Sequence, residues 1–307
     1  MSILVVGSFM MDCVTRTPQA PQAGETITGI SYKNYPGGKG ANQAVAARRM
    51  GAEVIMAGMV GNDSYGETFI NIMKNAGIDI KNIKKTNNAS TGIGSITLEE
   101  NGQNRIIIVP GANYEYSVAD LMTLEDCIKE VDIVLTQLEL REEITEKLAE
   151  LCQLHKKIFI LNPAPARSLS DKVLKAVSIL TPNETELQLL TGMKLSSMKD
   201  YVKGARLLCN AGVKTVVVTL GDKGCLFVNL NKEIHLPGYK VPVVDTTGAG
   251  DSFTGSLAAS IDSGLDIRKS IKIANAVGAL TIQKNGAIPS LPDKDEVLAF
   301  MNLNSKV

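Results

Sequence analysis

Asp245-Thr246-Thr247-Gly248-Ala249-Gly250-Asp251, running into the apolar stretch Phe253 to Ile261, reads as a loop that becomes a helix. Two glycines flank an alanine at the junction. The first turn of such a helix presents backbone N–H groups with no partner inside the helix, the raw material of an anion site. Asp251 falls on the same turn. A carboxylate there is also favoured by the helix dipole alone, by ~0.3–1 kcal/mol, so its presence does not by itself imply chemistry. An anion hole beside a carboxylate does suit phosphoryl transfer to an alcohol.

Upstream of this stretch, short apolar runs alternate with helical patterns. Ile3–Gly7, Val54–Val60, Ile133–Leu138, Ile158–Leu161, Val177–Leu180 and Thr215–Leu220 read as strands. Gly40–Met50, Tyr65–Asn75, Glu142–Leu154 and Met198–Asn210 read as helices, and Gly250–Asp262, Ile267–Gln283 and Asp295–Asn302 close the chain with three more. Continuous apolar strands separated by helices imply a mainly parallel sheet covered on both faces, an α/β fold of three layers. Residues 13–36 and 90–109 break the rhythm. They carry β-branched and aromatic residues between Pro and Gly, with a turn at Glu100-Asn101-Gly102-Gln103, and read as antiparallel strands of a small inserted sheet. Such a sheet on an α/β body is a natural lid. The expectation is one domain over 1–307.

Composition narrows the function. The 307 residues are 44% hydrophobic and 21% charged, and 32 basic residues balance 32 acidic ones. Nothing in that balance points to nucleic acid or to a membrane surface. No run of about 18 apolar residues is present, and Met1 to Gly7 has no basic segment of the kind that opens a secretory leader. The five cysteines lack C-x-x-C spacing and read as reduced thiols of a cytoplasmic protein. With only His155 and His235, a histidine triad or zinc centre has little support.

Four further segments could bind ligand, each with a plainer alternative. Gly37-Gly38-Lys39-Gly40-Ala41-Asn42-Gln43 opens a helix and fails the Walker spacing; it is either a flexible loop or a close backbone approach to a polar ligand, with Asn42 bonding a hydroxyl. Asp12 follows the first strand and is either a turn residue or an acceptor for two adjacent sugar hydroxyls. Thr181-Pro182-Asn183-Glu184-Thr185-Glu186 fits a capping box, and equally an acidic pair holding water around Mg²⁺. Thr219-Leu220-Gly221-Asp222-Lys223-Gly224 is a tight hairpin or a backbone cradle for nucleotide phosphates.

In this order the segments resemble the ribokinase-like (PfkB) carbohydrate kinases. The Gly37–Gln43 and Asp245–Asp251 stretches look like the two family signatures, Asn183-x-x-Glu186 like the magnesium motif, and Asn162-Pro163-Ala164-Pro165-Ala166 is typical of the ribokinase branch. The resemblance runs from Ile3 to about Pro292. It implies an ATP-dependent kinase acting on the C5 hydroxyl of a pentose. Asp251 would be the base, with Gly248, Ala249 and Gly250 as the anion hole. The sugar would lie against Met10, Asp12, Gly38, Lys39, Asn42 and Glu139. ATP would meet Asn183, Thr219, Gly221, Gly224, Gly250 and Asn275, with Mg²⁺ held through water by Asn183 and Glu186. An activating K⁺ would sit among Asp245, Thr247, Ile282, Asn285, Gly286 and Ser290. The lid resembles one through which ribokinases form homodimers. Ribokinases often carry Asn two positions before the sugar-binding Asp; this chain has Met10, as deoxyribokinases of the branch do, which implies tolerance of 2-deoxyribose. Other readings are a family member acting on fructose, adenosine or a modified nucleoside, and an inactive sugar-binding regulator. A dinucleotide reductase is disfavoured because no G-x-G-x-x-G follows a strand.

Overall fold

The computed structural model describes residues 2–304. Its strands and helices, in chain order, are β1 Ser2–Val6, β2 Met10–Thr17, β3 Ser31–Gly37, α1 Lys39–Arg49, β4 Glu53–Gly61, α2 Ser64–Asn75, β5 Asp79–Thr86, β6 Gly92–Glu99, β7 Asn104–Val109, α3 Val118–Met122 and α4 Glu125–Glu130. Then follow β8 Ile133–Thr136, α5 Glu142–Leu154, β9 Ile158–Leu161, α6 Asp171–Ala176, β10 Ile179–Leu180, α7 Glu184–Thr191, α8 Met198–Asn210 and β11 Thr215–Thr219. β12 Cys225–Val228, β13 Glu233–Leu236, α9 Ala249–Asp262, α10 Ile267–Thr281 and α11 Lys294–Asn304 complete the chain.

Nine strands form one sheet in the order β13-β12-β11-β10-β9-β8-β1-β4-β5. From β5 to β11 every pairing is parallel; β12 and β13 return antiparallel at one edge. Alternation along β1 divides the core. Leu4 and Val6 face a cluster with Leu121, Leu148 and Leu208, while Ile3 and Val5 face one with Val45, Phe69 and Leu257. Helices α3 to α8 thus cover one face, and α1, α2, α9 and α10 the other, the three-layer arrangement that the alternating pattern implies.

The small sheet has the order β3-β2-β6-β7. It departs from the antiparallel expectation at its centre. β2 pairs parallel with β6 over eight residues, Met10 with Gly92 through Thr17 with Glu99. The two segments leave the main sheet in the same direction, from the ends of β1 and β5, so they meet side by side. Asn113 fixes that exit: its side chain accepts from Phe9 N at 2.9 Å and donates to Phe9 O at 2.8 Å. All of β7 is exposed, including Ile106, Ile107, Ile108 and Val109. Among the described residues no helix is long and apolar enough to cross a membrane, and all five cysteines are unpaired.

Candidate active site

The chain ends of β1, β8, β9, β10 and β11 open on one side of the main sheet, where the strand order turns from β1 to β8, the usual place for a ligand in an open α/β sheet. Helices α1 and α9 meet there. Their crossing depends on Gly255: a Cβ at that position would lie 2.4 Å from Gln43 O and 2.9 Å from Ala46 Cβ. The bare Cα lets the helices approach. Asp251, one turn earlier on the same face of α9, is thereby carried against the first turn of α1.

Asp251 is buried, 7% exposed. Asn42 Nδ2 donates to its Oδ2 at 2.8 Å and Gln43 Nε2 to its Oδ1 at 2.9 Å. Just before it, Gly248 takes the left-handed conformation (φ 76°, ψ 0°) and caps α9 without any side-chain hydrogen bond. A Cβ would be strained there. Ala249 N donates to Thr246 O at 3.3 Å, and the N–H groups of Gly250 and Asp251 are left to a ligand or solvent, next to the carboxylate.

The N-terminus of α1 is closed differently. Gly38, at φ 88°, offers no side-chain cap. Glu139 Oε2 does the work from another element, accepting from Lys39 N at 2.9 Å and from Ser8 Oγ at 2.5 Å. Glu139, expected at the sugar, thus spends one oxygen on the helix end. Lys39 extends into a group of carboxylates. Burial opposes its charge, but Asp251, Glu139, Glu186 and Asp12 outweigh that and raise its pKa above the usual lysine value. Asp12 is pushed the opposite way for a carboxylate: burial, then the charges of Glu139 and Asp251, raise it to about 6, with Lys39 offsetting part of the rise. Gly94 makes room for it, since a Cβ there would lie 2.6 Å from Asp12 Oδ1. Met10, two residues earlier on β2, shares its face and is buried.

Lys39, Asn183, Glu186, Thr219, Gly248, Ala249, Gly250 and Asp251 line a single cavity of 190 Å³ with Asn162 and Thr181. Two larger hollows, of 380 Å³ beside β13 and α10 and 620 Å³ beside Arg48 and Arg49, contain no buried carboxylate. Asn183 and Glu186 form the capping box of α7 in full: Glu186 N donates to Asn183 Oδ1 at 2.8 Å, and Asn183 N to Glu186 Oε2 at 2.8 Å. Burial raises the Glu186 pKa, against the Asn183 N–H and Lys39, which lower it. The capping and ligand readings are compatible, because the box lies on the cavity wall. Thr219 bridges to Asn183, and Gly221–Lys223 turns the chain into β12, so the hairpin reading of this segment holds. Gly221 has open space above it. Asn275 is farther out, donating to Pro237 O at 3.2 Å.

Behind the anion turn, Asp245 joins two loops. Its Oδ1 accepts from Thr247 N at 2.9 Å and Oγ1 at 2.7 Å, and its Oδ2 from Gly286 N at 2.9 Å. Burial opposes its charge, yet these bonds hold its pKa below the usual carboxylate value. Ile282 O accepts from Val244 N and Asp245 N, and Ser290 Oγ donates to Ala287 O at 2.7 Å. Asn285 is exposed on the same loop. Among the described residues no three His, Cys, Asp or Glu side chains cluster as a metal cage.

Gln43, Gln137, Asn162 and Ser8 were given no role from sequence, although each is buried against this site. Gln43 and Asn162 carry a signal, the first adjoining Asn42 in the glycine cluster and the second opening the Asn162–Ala166 stretch.

A carboxylate pinned beside an uncapped helix start, with a lysine among acids facing them, defines a phosphotransferase site of the sugar-kinase class. Residues 1–294 match the model of the pfkB family of carbohydrate kinases. The chain is 36% identical to a ribokinase of Haemophilus influenzae over 300 residues, 98% of each chain, and 34% identical to a deoxyribokinase of Salmonella typhi over 305 residues, 99% of this chain and all of that one. It superposes on the structure of Arabidopsis thaliana ribokinase complexed with ribose and ATP with a TM-score of 0.92, at 32% identity and 98% coverage of both. The protein belongs to the pfkB family and is an ATP-dependent sugar kinase.

Proposed function

We propose that the protein transfers the γ-phosphoryl group of ATP to the C5 hydroxyl of a pentose, D-ribose or 2-deoxy-D-ribose, giving the 5-phosphate and ADP. One observation carries the reading: Asp251 is fixed next to the open start of α9, and Asn42 links it to the side of the cleft where Asp12 lies. Its relatives include both ribokinases and deoxyribokinases.

The sugar lies between β2 and α1. Asp12 and Asn42 bond its hydroxyls, with Gly38 and Lys39 beneath and Glu139 at the rim. Asp251 accepts the hydroxyl proton as the sugar oxygen bonds to phosphorus and the bond from phosphorus to the bridging oxygen of ADP breaks. The transition state is loose, so the proton moves late and electrostatics dominate. The N–H groups of Gly248 and Gly250, with Ala249 N exchanging its 3.3 Å bond to Thr246 O, take the charge on the phosphoryl oxygens. Thr219, Gly221, Gly224 and Asn275 follow the nucleotide outward.

Asn183 and Glu186 fit a hydrated Mg²⁺, because both line the cavity, each Glu186 oxygen accepts one bond from Asn183 and keeps a further lone pair, and this ion keeps several waters. When bound, it neutralises phosphate charge. The oxygen-rich pair of loops around Asp245, with Thr247, Ile282, Asn285, Gly286 and Ser290, fits K⁺; a cation there would firm the anion turn. The four-stranded sheet serves as the lid. A second copy of the chain would cover exposed β7, making a homodimer; Ile107→Lys should then halve the mass seen in sedimentation, and a monomer before substitution would end that reading. The unpaired cysteines fit a reducing cytoplasm, which cell fractionation tests.

The deciding experiment compares kcat/KM for ribose and 2-deoxyribose, with coupled detection of ADP. Turnover of neither pentose, with turnover of a hexose or nucleoside, would refute the assignment.

A further inference from the structure

Asp251 is held by a branched set of buried primary amides: Asn162 lies on the cavity wall, while Gln43 and Gln137 lie behind it. Gln43 is 0% and Gln137 is 1% exposed. Gln43 Nε2 donates to Asp251 Oδ1 at 2.9 Å and to Asn162 Oδ1 at 3.2 Å. Gln137 Nε2 donates to Gln43 Oε1 at 2.8 Å. Asn162 Nδ2 donates to Thr181 O at 2.9 Å.

The polarity of this set is forced. An ionised carboxylate only accepts, so Gln43 must present nitrogen to Asp251. Its Oε1 then points the other way and needs a donor, which Gln137 supplies. Asn162 Oδ1 must accept as well, because its own nitrogen is committed to a backbone carbonyl. Rotating either glutamine amide would set two acceptors against each other inside the core. The arrangement even leaves Gln137 Oε1 without a partner. That oxygen faces Gly7, where a Cβ would lie only 2.4 Å away. A buried acceptor is seldom left unpaired, and here the cost coincides with keeping Nε2 on Gln43.

We propose that Gln43 and Gln137 are positioning residues for the phosphoryl transfer: Gln137 orients Gln43, and Gln43 orients the Asp251 carboxylate toward the acceptor hydroxyl. This rests on Asp251 being the base. Amides suit the task because they fix direction without adding a positive charge. Asn42 holds Oδ2 from the sugar side, so one carboxylate oxygen answers to the substrate pocket and the other to the sheet. Gln137 donates to Gln43 and not to the carboxylate, so its influence on catalysis passes through Gln43.

The test uses Gln43→Met, Gln137→Met, the double variant and Asp251→Asn in the full chain, with thermal midpoints alongside. Loss of orientation should lower kcat roughly tenfold for Gln137→Met and roughly 100-fold for Gln43→Met, with sugar KM changed less than about threefold. Since Gln137 acts through Gln43, the double variant should be no slower than Gln43→Met. A double variant slowed by the product of the two effects would overturn the proposal. So would a Gln137→Met enzyme of unchanged kcat, or one whose loss lies in KM. If Gln43→Met fails to fold, the kcat-against-KM split in Gln137→Met decides alone. Intact turnover in Asp251→Asn would sink the base assignment instead, whereas an inactive Asp251→Asn with a normal Gln137→Met would sink only the relay.

Discussion

Asn42 Nδ2 and Asp251 Oδ2 lie 2.8 Å apart across 209 residues of sequence. The bond ties α1, the helix that follows β3, to the helix that starts at the anion turn. Replacing Asp251 by Asn turns one of two acceptor oxygens into a donor facing a donor amide. Turnover should fall ~10²–10⁴-fold, the usual worth of a general base. The thermal midpoint should drop too. Coupled ADP detection and calorimetry check both; unaltered kcat would remove Asp251 from the chemistry.

Asp12 gives the enzyme an acid limb. Its carboxyl titrates at about 6 because burial and neighbouring acids disfavour its charge. If the ionised form accepts the sugar hydroxyls, kcat/KM for sugar declines as pH falls through about 6. Stability runs in the opposite sense. The folded pKa exceeds the unfolded 3.8, so the folded state holds the extra proton between these values and stability drops as pH rises across that window. Asp12→Asn should therefore raise the melting temperature at pH 8 but not near pH 3.5, while abolishing sugar binding. An equal shift at both pH values would contradict the account.

Gly255→Ala should cost ~1–3 kcal/mol in urea unfolding, since its methyl would overlap Gln43 O and force the helices apart. Activity should fall with it. Gly278→Ala is the contrasting case: its Cβ would meet only Ala249 O, at 3.8 Å, so the helical gain of ~0.5–1 kcal/mol should appear as added stability. Similar effects at both sites would show that close approach is not what Gly255 provides.

Met10 is buried on the same face of β2 as Asp12, and a thioether donates no hydrogen bond. An apolar wall does not penalise a missing hydroxyl. Met10→Asn should move the kcat/KM ratio toward ribose, by a factor on the order of ten. A ratio that stays fixed would mean Met10 only packs.

Potassium should stimulate turnover relative to sodium, and Asp245→Asn should lose that stimulation, because Asp245 supplies the charge between the loops of Thr247 and Gly286. Equal rates in the two salts would argue against a cation behind the anion turn.

The central strands were legible because buried parallel strands are continuous apolar runs: Ile158–Leu161 has the bounds expected of it. β5 was not, since Asp79-Ile80-Lys81-Asn82-Ile83-Lys84-Lys85-Thr86 is an edge strand whose lysines mask its pattern. The parallel β2–β6 pairing escaped because local turns reveal only hairpins. In the site, the glycine clusters and the capping box could be read where they stand, being local devices. The partners of Glu139 and Gln43 could not: Ser8 is 131 residues from Glu139, and Asp251 is 208 from Gln43.

Gly255 has a bearing on attempts to move this chemistry elsewhere. Grafting the residue 245–251 loop onto another α/β scaffold would reproduce the anion turn but leave its aspartate facing solvent. What must be transplanted is a whole interhelical crossing, bare at one point, with two amides waiting on the opposite helix. The minimal portable unit of the catalyst is thus a pair of helices more than 200 residues apart in the gene product, and no contiguous peptide contains it.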